Sequence, residues 1–248
     1  MKNLIALAAR ELKSFFYSPI AYVVGALFLV LQGFVFWLLI SVMIDSRVDP
    51  SLTMAQFFFG GTFFFWFSVI LLTPLLTMRA FSEEKRTGSI ELLLTAPVTD
   101  TQVVLAKFLG AWLAYLLFWL TTLPYFFILR QFSALDWMPV ITGYFGTALL
   151  GAVLISIGIF ASSLTRNQVI AAVLSFVIIL LLFSVGVLEV LIHDPDASKL
   201  INYLSLMEHL RDFSKGIVDT RPIVAYSSLT GIMLFFTGRV IANPRWRS

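Results

Sequence analysis

Cysteine is absent from this chain, and charge is scarce. With no cysteine in 248 residues, structural disulfides, thiolate-held zinc, iron–sulfur clusters and thiol catalysis are excluded. The two histidines, His193 and His209, are too few for a metal cage of three or four ligands, so no metal site is expected. No Gly-x-x-x-x-Gly-Lys-Ser/Thr phosphate loop occurs, so the chain cannot hydrolyse ATP alone. Nor does it hold a nucleophile with a base at hand, which argues against an enzyme. Only 12% of the residues are charged, about half the share of a soluble domain.

Hydrophobic residues make up 59% of the chain and the mean hydropathy is +0.93. That surplus must face lipid. A sequence pI near 9.3 could suggest nucleic acid, but the basic residues sit at the ends of apolar segments, where topology explains them. No nucleic-acid partner is expected. A bilayer core about 30 Å thick takes roughly 20 apolar residues per helix. Runs of that kind predict an all-α membrane protein with six transmembrane helices, at about 20–44, 54–78, 103–129, 139–164, 167–188 and 222–240. The segment at 79–102 is then one loop and 189–221 another, in a single transmembrane domain over 1–248.

Placing both termini and the 79–102 loop on one side puts eleven of the 17 Lys and Arg residues there. Five of the 14 acidic residues share that side and nine lie opposite. The Lys/Arg bias makes it the cytoplasm. Residues 2–17 form an amphipathic pattern. Leu4, Ile5, Ala8, Leu12, Phe15 and Phe16 share one face, while Lys2, Arg10 and Lys13 share the other. This predicts an interfacial helix rather than a cleaved signal, turned by Ser18-Pro19 into the first span.

The fourth span carries small residues at four-residue spacing: Thr147/Gly151, Ala148/Ala152/Ser156 and Gly158/Ser162. They pack helices within the chain or form a face for a second copy. Pro74 and Pro124 are expected to kink spans two and three. The aromatic run from Phe57 to Phe67 surrounds span two and reads as lipid contact.

The 79–102 loop is too polar for lipid and too short for a domain. Arg79 and Glu83 stand four apart, as a helical ion pair requires, so span two is expected to continue as a helix through Arg86 until Gly88 stops it. Ser89 can cap a short helix, Ile90–Ala96, ended by Pro97. Thr99 and Gln102 form a capping box for the next helix. Leu92, Leu93 and Leu94 beside Glu91 suit a socket on a partner better than water.

The run Arg79…Glu83-Glu84-Lys85-Arg86-Thr87-Gly88-Ser89-Ile90-Glu91-Leu92-Leu93…Ala96-Pro97-Val98 resembles the cytoplasmic motif of ABC-2 type permeases, the membrane half of one class of ATP-driven exporters. Glu83, Gly88, Glu91 and Pro97 fall on motif positions, and Ser89 stands where Thr is common. The stretch from Asn202 to Asp219 resembles permeases of gliding-motility and copper-enzyme-maturation systems. The resemblance implies a bacterial inner-membrane permease whose short cytoplasmic coupling helix docks on a separate ABC ATPase. That ATPase, a dimer, binds ATP and Mg, and this chain itself carries no cofactor. The implied docking residues are Arg79, Glu83, Glu84, Lys85, Arg86, Gly88, Ser89, Ile90, Glu91, Leu92, Leu93, Leu94 and Pro97. It also implies a second permease copy or paralogue, with accessory periplasmic or membrane proteins. The mechanism expected on this basis is that ATP closes the ATPase dimer and movement at Ile90–Ala96 tilts the kinked spans two and three. An ion-coupled carrier is the main alternative, but such carriers hold an ionisable group within a span, and none sits at a span centre here. A membrane anchor that moves no cargo is the other. Uncharged spans favour an apolar or amphipathic cargo.

The outer loop adds one expectation: Leu200, Tyr203, Leu204, Met207 and Leu210 share an apolar face, which predicts an interfacial helix on the far leaflet.

Overall fold

The structure, a computed structural model, describes residues 2–44, 53–88, 99–132, 135–191 and 205–243. Among the described residues the chain forms eleven α-helices and no strand. They are α1 (Lys2–Tyr17), α2 (Pro19–Ile44), α3 (Met54–Phe58), α4 (Phe63–Thr77), α5 (Ser82–Thr87), α6 (Asp100–Leu120), α7 (Leu123–Phe132), α8 (Trp137–Ser163), α9 (Gln168–Leu191), α10 (Leu206–Ser214) and α11 (Thr220–Ala242). The stretches containing α2, α4, α6, α8 and α11 are long and apolar enough to cross a bilayer, and α9 adds a shorter apolar stretch. The chain is an all-α multi-pass membrane protein.

The centre is α8, packed against α4, α6, α9, α10 and α11. Its small residues let neighbours come close. A Cβ on Gly151 would lie 2.1 Å from the Tyr115 ring, and one on Gly158 would lie 2.1 Å from Thr77 Oγ1. Both glycines therefore face helices of the same chain. Ser156 is buried and its hydroxyl donates to the Val153 carbonyl at 2.6 Å, while Ala152 is half-buried.

Two expected continuous helices are broken at three places, each at residues that can satisfy the loose backbone groups. Span two begins as the five-residue α3, whose capping box pairs Thr53 with Gln56. Gly60 then takes φ 86°, its carbonyl accepts the Trp66 indole N–H at 3.0 Å, and Thr62 caps α4. The aromatic run is therefore mostly core: Phe58, Phe59, Phe65 and Trp66 are buried, while Phe63 and Phe67 are exposed. Span three breaks between α6 and α7. The Thr121 and Thr122 hydroxyls donate back to Phe118 and Trp119, and Pro124 sits in the first turn of α7, where a missing N–H costs nothing. The third break, after Thr77, lies at the functional site.

The described part of the segment expected at the far leaflet is α10, whose apolar side packs on protein. Within α10 the buried side chains are Leu206, Leu210, Phe213 and Ser214, and they face the bundle. The Phe213 carbonyl accepts the Thr142 hydroxyl at 2.6 Å, and the Phe213 ring covers Gly146. Leu200, Tyr203, Leu204 and His193 lie outside the described residues. His209 stacks edge-on against Tyr226, with ring centroids 5.6 Å apart.

Candidate functional site

Two carboxylates at the α1 end converge on Lys107. This side chain lies in the second turn of α6 and is only 4% exposed. Its ammonium donates to Glu84 of α5 at 2.7 Å and to Glu11 of α1 at 3.4 Å, with the Phe81 ring centroid 5.2 Å away. An ammonium taken this far from water needs such partners, and each carboxylate comes from a different element.

Helix α1 reaches Lys107 because Gly110 has no side chain. A Cβ there would lie 2.7 Å from Glu11 Cβ and 3.3 Å from the Leu12 nitrogen. The inward stripe of α1 is Leu4, Ala8, Leu12 and Phe15, and it packs on α6. Phe15 and Phe16 close on Phe118 with centroids at 6.2 and 6.4 Å. Ile5 faces outward with Arg10 and Lys13, so part of the expected apolar face does not pack on protein. Arg10 reaches Glu11 at 3.1 Å.

The expected continuation of span two through Arg86 does not form. Residues 78–81 turn, and α5 starts afresh at Ser82. Ser162 of α8 holds this turn. Its hydroxyl accepts the Phe81 and Ser82 amides at 3.0 and 3.1 Å and donates to the Met78 carbonyl at 3.1 Å. The Ser82 hydroxyl also donates to Met78. With the helix broken, Arg79 and Glu83 no longer share a face, and the expected ion pair between them is absent. Glu83 pairs with Arg86 at 2.7 Å, while Arg79 donates to Gln168 at 3.0 Å and to Ser18 at 3.3 Å, two neutral groups. Lys85 donates to the Ser163 carbonyl at 2.5 Å, so α5 is tied to α8 twice.

Burial pushes the Glu84 carboxyl above its ordinary range, against the pull of Lys107. Burial lowers the Lys85 ammonium, and the nearby Arg166 lowers it further. Between these elements lies a cleft of about 640 Å³, lined by Arg10, Arg79, Glu83, Glu84 and Lys107 among others.

Helix α5 ends at Gly88, which takes the left-handed conformation at φ 72°. Helix α6 starts at the capping box of Thr99 and Gln102. The docking residues between these two caps, Ser89, Ile90, Glu91, Leu92, Leu93, Leu94 and Pro97, lie outside the described residues. Sequence reasoning missed Lys107 and Glu11, and it read Ser162 as packing alone. A lysine two turns into an apolar helix was the available signal, since such a group must find a partner.

No curated protein matches the chain. The model of one family, described as ABC-2 family transporter protein, matches residues 39–207, well over half of the chain and all of the α5–α8 junction. The chain therefore belongs to the ABC-2 transporter family, as a membrane component.

Proposed function

We propose that the chain is the permease subunit of an ATP-binding-cassette transporter, moving a substrate across the bacterial inner membrane with both termini in the cytoplasm. In this reading a separate ATPase dimer docks on the 79–102 loop, and a second permease copy or paralogue completes the path. ATP and Mg belong to the ATPase, where hydrolysis supplies the work. The Lys/Arg bias supports the orientation, and the family supports the class.

The observation that carries the reading is Lys107, which joins α5, the first half of the docking loop, to α1 and α6 in one buried charge cluster. Ser162 and Lys85 join the same short helix to α8. A displacement of the segment after Gly88 would move α5 as a rigid lever. Its motion would pass to α6 and α1 through Glu84, and to the central helix through Ser162. Coupling by this route depends on joints between helices more than on the tilting of kinked spans. Two arrangements that ATP distinguishes are still required.

Replacing Glu91 with Lys tests the docking. The ATPase is expected to stop co-purifying with the chain, or to lose the part of its activity that depends on the permease. Unchanged association and turnover would overturn the reading.

A further inference from the structure

A second cavity, of about 720 Å³, lies at the other end of the bundle between the α3–α4 turn, α9 and α10. Its two sides differ in chemistry. Phe57, Phe63, Trp66, Phe183 and Met207 make an apolar wall, with Trp66 and Phe183 packed at 5.2 Å between centroids. Several polar atoms on that wall are already engaged. Trp66 gives its indole N–H to Gly60, Gln56 accepts the Thr53 amide, and Thr62 accepts the Phe65 amide. What the α3–α4 turn offers a ligand is therefore mainly ring surface.

Charge comes from the facing helix α10 and its end: Glu208, Arg211 and Lys215 line the cavity. Arg211 and Glu208 pair at 2.6 Å and balance each other. Lys215 stands 3.9 Å from its nearest carboxylate, on Asp212, at the edge of ion-pair range. Counting Asp212, two cations stand with two carboxylates, so what the cavity offers an anion is the loosely paired Lys215 ammonium rather than a net positive charge. The volume falls within the range typical of small-molecule sites, about 300–1,000 Å³.

We propose that this cavity binds an amphipath with an apolar chain and an anionic headgroup. The chain lies on the Phe63 and Trp66 wall, and the headgroup meets Lys215 and Arg211. An apolar ligand would leave the cationic side unused, and a polar anion would leave the aromatic wall bare. The part such a ligand plays in transport rests on the permease reading above; the existence of the site does not.

The test uses the full chain in phosphatidylcholine nanodiscs containing a small fraction of either brominated phosphatidylglycerol or brominated phosphatidylcholine. Bromine quenches nearby tryptophan fluorescence, and the difference between the native chain and Trp66→Phe isolates the Trp66 signal. Trp66 is expected to be quenched roughly fivefold more effectively by the anionic lipid, the ratio that about one basic side chain beside an anionic lipid supplies. In Arg211→Gln/Lys215→Gln, with helicity checked by circular dichroism, the preference is expected to vanish while quenching by phosphatidylcholine persists. Equal quenching by the two lipids in the native chain would overturn the proposal, as would no quenching by either. A preference that survives the double substitution would also overturn it. No ATPase enters this assay, so its failure leaves the docking reading standing, and a failure of docking leaves this result untouched. Adding the ATPase and ATP then separates two sources of the same chemistry. Falling quenching marks the lipid as cargo and constant quenching marks a resident lipid, and either keeps the site.

Discussion

The two ends of the bundle are held together by different physics. At the α1 end, three elements distant in sequence meet through one ammonium and two carboxylates, and a hydroxyl of α8 pins the turn before α5. At the α10 end, rings close over glycines: Phe59 on Gly143 and Phe213 on Gly146. A buried charge cluster depends on every member, because losing one leaves the others unpaired out of water. A packed aromatic face tolerates small changes in proportion to the volume altered. The α1 end is thus the more sensitive to the loss of a single group, and the α10 end the more tolerant.

The largest effect expected is at Lys107. Lys107→Met leaves Glu84 and Glu11 facing each other without their cation and should cost about 3–5 kcal/mol. This would appear as a large drop in the thermal midpoint in detergent, with loss of permease-dependent ATPase turnover. Lys107→Met/Glu84→Gln should recover part of it, since one uncompensated charge is gone. A Lys107→Met chain as stable as the native one would erase the contrast between the two ends.

Next comes the packing at the centre. Gly151→Ala would drive a methyl into the Tyr115 ring, where a Cβ meets it at 2.1 Å, and overpacking of this kind costs about 1–3 kcal/mol. The control is Gly231→Ala in α11, where a Cβ meets nothing within 4 Å. Alanine there should be neutral or slightly stabilising, by helix propensity. Thermal midpoints of the two variants check this directly, and equal midpoints would refute close packing at Gly151.

How far the sequence foretold these features follows from which forces act locally. Helix α1, the Gly88 stop and the Thr99 box are set by neighbours in the chain, and all three were legible. Of the three breaks, only the one beside Pro124 was signalled, as an expected kink of span three. In span two the continuous apolarity of the Phe run hid a second capping box at Thr53 and a turn at Gly60, both local signals that hydropathy averages away. The break before α5 was illegible in principle, because its stabilising hydroxyl, Ser162, lies 80 residues downstream of Ser82. The same holds for Lys107, whose partner Glu11 is 96 residues away. Counting charges by side placed Lys107 at the right end of a helix but could not say that it was buried.

The smallest effect separates the two ends by pH. At the α10 end, burial holds His209 below its ordinary value of 6.5, against the pull of Asp212 and Asp219. The unfolded chain then takes up a proton more readily than the folded one, so this histidine's contribution is present above 6.5 and is lost as pH falls. At the α1 end the sign reverses. Burial holds Glu84 above its ordinary value of 4.5, so the folded chain binds the proton more readily. Its contribution is full below 4.5 and is lost as pH rises through the raised value. Both act in the mildly acid window, in opposite directions. His209→Gln should therefore make the loss of thermal stability on mild acidification shallower than in the native chain, and Glu84→Gln should make it steeper. Midpoints measured from neutral to mildly acid pH decide it. Slopes that shift in the same direction in both variants would show that the two ends do not differ in the way their geometry requires.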